Sequence, residues 1–129
     1  MGGSVSIFAY HCGVLRYIDT VSVLPEDFVE TGAGAAIKLS QNGSYLYVTE
    51  RASGCIVTLQ AIGAQLKLLG RTKCHGKEPR DFTLLANDRF AVCTNQYSNN
   101  LSLFRISENG IPVWMEDIAL EAPLCAIEV

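Results

Sequence analysis

Apolar and polar residues alternate along most of this chain, and few stretches repeat at the spacing of a helix. Ile37 and Leu39 alternate with Ala36, Lys38 and Ser40, the pattern of a strand with one buried face. Gln41-Asn42-Gly43-Ser44 follows, and its Asn-Gly pair favours the left-handed backbone of a tight hairpin. Tyr45 to Thr49 is a β-branched and aromatic run suited to a buried central strand. Arg51-Ala52-Ser53-Gly54 turns the chain again, and Cys55 to Leu59 is a third strand. Gly63-Ala64-Gln65 turns, and Leu66 to Arg71 is a fourth, outer strand.

The same plan is then written a second time, 45 residues on and without a gap from Ala36 to Ile111. Ala36-Ile37-Lys38-Leu39 lies over Asp81-Phe82-Thr83-Leu84, Tyr45-Leu46-Tyr47-Val48 over Phe90-Ala91-Val92-Cys93, and Cys55 to Leu59 over Asn100 to Phe104. The second set of strands is Phe82–Leu85, Phe90–Thr94, Leu101–Ile106 and Val113–Ala119, with turns at 86–88, 97–100 and 108–110. Pro79 and Pro112 fall at strand entrances, where a missing N–H does least harm. A fixed period of this length made of several short strands predicts an all-β fold of β-propeller blades, each of four antiparallel strands. A duplicated half of a flat β-sandwich would give the same period, but the ungapped four-strand repeat and the phase of the two ends favour the propeller. Ser4 to Phe8 matches the third strand of a blade and Val14 to Val23 the outer strand, so the chain opens in mid-blade. Pro123 to Ile127 restarts an innermost strand. The expected division is a half blade over 1–33, full blades over 34–77 and 78–121, and a closing strand over 122–129. That is an incomplete ring of about two and a half blades, and its open edges predict self-association.

Composition narrows the function classes. Of the 129 residues, 49% are hydrophobic, enough for a packed core. The net charge of −3 argues against nucleic acid as a partner, because a phosphate backbone needs a basic surface. No apolar run is long enough to span a membrane, so none is expected as a partner, and the first residues lack the pattern of a signal peptide. The five cysteines, Cys12, Cys55, Cys74, Cys93 and Cys125, are odd in number and lack CxxC spacing. They read as reduced thiols acting as small apolar residues in a cytoplasmic protein, with neither a disulfide framework nor a zinc site.

Several strings carry a resemblance. Leu24-Pro25-Glu26-Asp27-Phe28, the run Ala35 to Arg51, Gly76-Lys77-Glu78-Pro79-Arg80-Asp81-Phe82, Thr94 to Asn100 and Pro123-Leu124-Cys125 stand in this order along the chain. Together they resemble the last third of the seven-bladed lactonase family, which includes bacterial 6-phosphogluconolactonases and fungal carboxy-muconate cyclases. The resemblance implies hydrolysis of a phosphorylated sugar lactone in the oxidative pentose phosphate route, with no metal or organic cofactor. It places the site at the mouth of the central channel, with Arg51, His75, Lys77, Arg80, Asp81 and Gln96 as the positions to examine. Two departures from the family pattern stand out. Ala36 replaces a common acid, and Glu50 stands where Asn is usual.

Opening a lactone needs an activated water and stabilisation of the developing oxyanion. A phosphate or carboxylate on the substrate suits a guanidinium clamp. Arg80, just after Pro79 and before an inner strand, is the first candidate for substrate binding and catalysis. Arg51 is the second, or else it bridges blades by pairing with Glu50 or Asp81. His75 is the candidate acid/base, as an imidazole titrates near neutral pH. Lys77, Asp81 and Gln96 complete the expected binding set. Cys74 makes a poor partner for His75, because adjacent residues of an extended chain point opposite ways. Two other expectations stand beside the hydrolase: a non-catalytic propeller piece acting as a binding or assembly module, and a cycloisomerase acting on a carboxylated lactone.

Overall fold

The computed structural model describes residues 2–129. Strands β1 (Ser4–His11) and β2 (Val14–Ser22) form a two-stranded hairpin. Strands β3 (Gly34–Leu39), β4 (Tyr45–Glu50), β5 (Cys55–Ile62) and β6 (Gln65–Lys73) form one four-stranded meander. Strands β7 (Pro79–Leu85), β8 (Phe90–Asn95), β9 (Asn100–Ile106) and β10 (Pro112–Ala119) form another. Every described ladder is antiparallel and joins strands consecutive in sequence. This is the architecture of propeller blades, as expected. The repeat also holds at the level of register: Tyr47 faces Thr58, and Val92 faces Leu103, one period later.

The blades stack face to face, and the period-two pattern explains how. Strand β4 is buried on both sides because successive side chains leave by opposite faces. Tyr47 and Ile56 point one way, into a core shared with Phe82, Ala91, Cys93 and Phe104 of the next blade. Val48, Val57 and Leu59 point the other way, against Val5 and Val23 of the half blade. The tyrosine also carries a polar tie across the stack: its hydroxyl donates to Gly110 O at 2.9 Å. Burial, with Asp88 and Tyr45 adding to it, pushes that phenol up to about 12. Arg71 joins the half blade to its neighbour, donating to Val23 O and Leu24 O.

Three details differ from the sequence-based expectations. The closing strand over 122–129 forms no ladder. Instead the segment leans on β7 and β8 through side chains: Thr83 Oγ1 donates to Ala126 O, Asp81 Oδ2 accepts from Ala126 N, and Thr94 Oγ1 donates to Leu124 O. Ala126 stands 45 residues after Asp81, so the segment lies where the inner strand of a following blade begins, without a sheet partner of its own. Second, the Asn-Gly turn takes positive φ at Gly43 alone, with Gly43 N bonded to Ser40 O. Third, the thiols do not behave alike. Cys74 and Cys93 are buried and Cys55 is half-buried, but Cys12 and Cys125 are exposed, one at a hairpin tip and the other in the strandless final segment.

Candidate functional site

The inner strands β3 and β7 begin side by side, and their first residues wall a cleft. Gly34, Ala35, Arg51, Arg80 and Leu124 line it, around about 400 Å³. Two features of the sequence build this corner. Gly34 and Ala35 carry almost no side chain, which leaves room in front of the arginines. Pro79 starts β7 at the blade junction and fixes where Arg80 leaves the backbone.

The arginines converge on one carboxylate. Arg51 Nη1 lies 2.6 Å from Glu78 Oε1, and Arg80 Nη1 lies 3.9 Å from the same oxygen. Arg51 also donates from Nε to Ala33 O, so its guanidinium is held from two directions. Its side chain is 16% exposed and that of Glu78 18%, while that of Arg80 is 39% exposed and lies nearest to solvent. Glu78 holds a positive φ of 59° although it is not glycine and precedes a proline. Left-handed backbone at such a residue costs on the order of 1–3 kcal/mol and persists where the surroundings enforce it. Here the enforcement includes a hydrogen bond from Gln96 N to Glu78 O and the ion pair with Arg51.

This corner breaks the repeat. One period apart stand Ala33, Glu78 and Pro123; Ala35, Arg80 and Cys125; and Arg51 and Gln96. The backbone bond from Arg51 N to Ala33 O recurs as Gln96 N to Glu78 O, so the scaffold is shared and only the side chains differ. Glu78 was not among the residues singled out from sequence. The signal was available: a charge at a position where the other copy carries alanine, next to Pro79-Arg80.

The remaining sequence candidates are placed as follows. Gln96 sits at the Arg51-equivalent position, with its side-chain oxygen buried. Asp81 faces Lys38 Nζ at 3.4 Å and accepts from Ala126 N, a role in joining blade, neighbour and final segment. Lys77 is exposed, and its backbone N–H is taken by Ser98 Oγ. His75 is not among the cleft-lining residues. Its ring stacks on Trp114 of the outer strand at 4.7 Å and 14°, and lies edge-on to Phe104. Cys74 is buried and His75 exposed, in the bend after β6 where His75 takes a positive φ of 59°. The bridge expected between Arg51 and Glu50 or Asp81 is made with Glu78 instead. Asp81 is turned to Lys38, and Glu50 is turned into the protein.

The two departures from the family pattern are explained locally. Glu50 is fully buried and accepts the backbone N–H groups of Ala33 and Ser53 with its two oxygens. Burial on its own would raise its pKa, but hydrogen bonding from Ser53, Ala33 and Ala52 outweighs burial and holds the carboxyl below its usual value. In the next blade Asn95 takes this place, donating to Cys74 O and Ser102 Oγ. Glu50 is therefore a loop clamp. Ala36 donates its N–H to Thr49 Oγ1, as Asp81 does to Thr94 Oγ1, and it faces a shallow cleft shared with Gly2, Ser4 and Val5.

Blades of four strands, with an arginine-lined cleft at the start of the inner strands, define a β-propeller. The chain belongs to the lactonase family of seven-bladed β-propellers, whose description, "Lactonase, 7-bladed beta-propeller", matches residues 1–127. It is 31% identical over 117 residues to a 6-phosphogluconolactonase of Bacillus subtilis, covering 88% of this chain and 34% of that one. It is 30% identical over 127 residues to an uncharacterised protein of Lactococcus lactis, covering 95% and 37%. Among solved structures, the periplasmic gluconolactonase of Pseudomonas aeruginosa superposes with a TM-score of 0.90 at 28% identity, covering 95% of this chain and 35% of that one. The chain thus spans about a third of the length of these relatives.

Proposed function

We propose that this chain supplies part of the substrate site of a sugar-lactone hydrolase, related in fold and reaction to the 6-phosphogluconolactonases and gluconolactonases it resembles. One observation carries the proposal: Arg51 and Arg80 from two adjacent blades line one cleft, beside the small residues Gly34 and Ala35 that begin β3. A guanidinium there serves two needs of lactone opening. It binds an anionic substituent, and it stabilises the negative charge that develops on the carbonyl oxygen as water adds. Arg80, nearer to solvent, is the residue expected to touch substrate, with Arg51 behind it. The named activities of the relatives, on 6-phosphogluconolactone and on gluconolactone, agree with a sugar lactone as the substrate class. A cytoplasmic setting with reduced thiols belongs to the same proposal. Among the described residues no helix is long and apolar enough to cross a membrane.

The test is ring opening of both lactones by the 129-residue chain and by Arg80→Ala. The expected result is hydrolysis that falls at least tenfold in the variant, the scale on which a charge-stabilising donor contributes. Equal rates in both proteins would remove Arg80 from the site. The binding-module alternative has its own supporting observation. Ile37 and Leu39 on β3 are 54% and 57% exposed, on an inner strand that a closed ring would cover. Absence of any hydrolysis, together with a discrete self-assembled mass, favours that alternative.

A further inference from the structure

The position before Pro79-Arg80 has a role of its own. Glu78 places a carboxylate between the two guanidiniums, where an anionic substrate group would otherwise find both. Glu78 thus offsets part of the positive charge that the two guanidiniums bring to the cleft. The other ion pair among the described residues, Lys38 with Asp81, is neutral as a pair. A dianionic phosphate would bring more negative charge than the corner can match, whereas a carboxylate or a lactone oxyanion would bring one. We propose that Glu78 is a specificity-determining residue, tuning the arginine pair toward singly charged or unphosphorylated sugar lactones and their ring-opened acids, and away from phosphorylated ones.

The inference rests on the arginine cleft being the substrate site. Three observations support the specific role of Glu78. Its side chain is mostly buried beside Arg51, so its charge is poorly screened by solvent. Its left-handed backbone is a conformation that glycine would adopt more easily, yet the position carries an acid. The equivalent positions, Ala33 and Pro123, carry no charge, so the acid belongs only to the junction that holds the arginines. The residue acts through the arginines, which makes it a selector and not a catalytic group.

The experiment uses chain labelled with ¹⁵N-arginine, following the side-chain Nε–H resonances at low salt and about pH 8. The probes are inorganic phosphate, mostly dianionic there, and gluconate, a singly charged sugar acid. Wild type is expected to bind gluconate at least as well as phosphate. Glu78→Gln is expected to gain about tenfold for phosphate relative to gluconate, as one removed charge acts twice as strongly on a dianion. Glu78→Asp, which keeps the charge, is expected to retain the wild-type preference and controls for loss of fold. A Glu78→Gln variant with unchanged preference, or with equal gains for both anions, overturns the role of Glu78 while leaving the arginine cleft standing. Shifts that survive in Arg80→Ala, or no shift with either anion in any form, overturn the cleft itself and the inference with it.

Discussion

At the scale of single residues, two acids of this corner are held by different kinds of partner. Glu50 and Glu78 are both mostly buried, but Glu50 binds backbone N–H groups while Glu78 binds guanidiniums. For Glu50 the folded carboxyl titrates below its unfolded value, so its stabilisation is complete above the unfolded pKa and is lost as pH falls through the folded one. Thermal unfolding followed from neutral pH downward is therefore expected to show declining stability below about pH 4.5. Glu50→Gln should flatten part of that decline. At neutral pH it should cost about 1–3 kcal/mol, because an amide N–H₂ would face a backbone donor. A variant with an unchanged acid limb would remove Glu50 as its source. Arg51 and Arg80 are legible in the sequence as candidates, because both stand in the strings that resemble the family and Arg80 directly follows Pro79 before an inner strand. Sequence reasoning missed Glu78, since the repeat was used to find what recurs, and this residue is informative because it does not recur. It credited His75 for its titration range, but the stacking of the ring on Trp114 depends on a strand distant in sequence and no local pattern reports it.

At the scale of elements, strands were readable and their ends were not. The repeat, the turn residues and the β-branched runs located the strands, and alternation is legible where one face is covered, as in β1 and β3. The final segment failed as a strand for the opposite reason. It has the composition of an inner strand, but a ladder needs a partner, and its contacts come from the side chains of Asp81, Thr83 and Thr94. Turns are where small changes should be felt most. Gly110 closes the β9–β10 hairpin at φ 79°, and a Cβ there would meet the Tyr45 ring at 2.6 Å. Gly110→Ala is expected to lower stability by about 2–3 kcal/mol, combining left-handed strain with a clash between blades. Chemical denaturation checks this, and a change below about 0.5 kcal/mol would show that the junction yields easily.

At the scale of the whole molecule, the blades are complete where they meet each other and uncovered where they do not. The stacked faces bury Phe82, Phe104, Tyr47 and Ile56, whereas Ile37 and Leu39 at one side and Ile127 at the other stay exposed. Exposed apolar strand surface recruits further strands. Light scattering after size exclusion is expected to show association above the 14.0 kDa monomer. About three copies would complete a ring of blades. A monomer at every accessible concentration would show that these surfaces are tolerated in water. The partition into a half blade, two blades and a closing segment is part of the same proposal.

The meander has a consequence for how the chain reaches this state. Every ladder joins consecutive strands, so each hairpin closes a short loop and loses little entropy before its hydrogen bonds form. Contacts between blades span longer sequence distances, such as the 63 residues between Tyr47 and Gly110. Hairpins should therefore assemble early and locally, and the slow step should be docking one finished sheet on the next. In kinetic terms, residues of the shared core such as Phe82 should govern how long the stack survives, and residues of the turns how quickly each sheet appears.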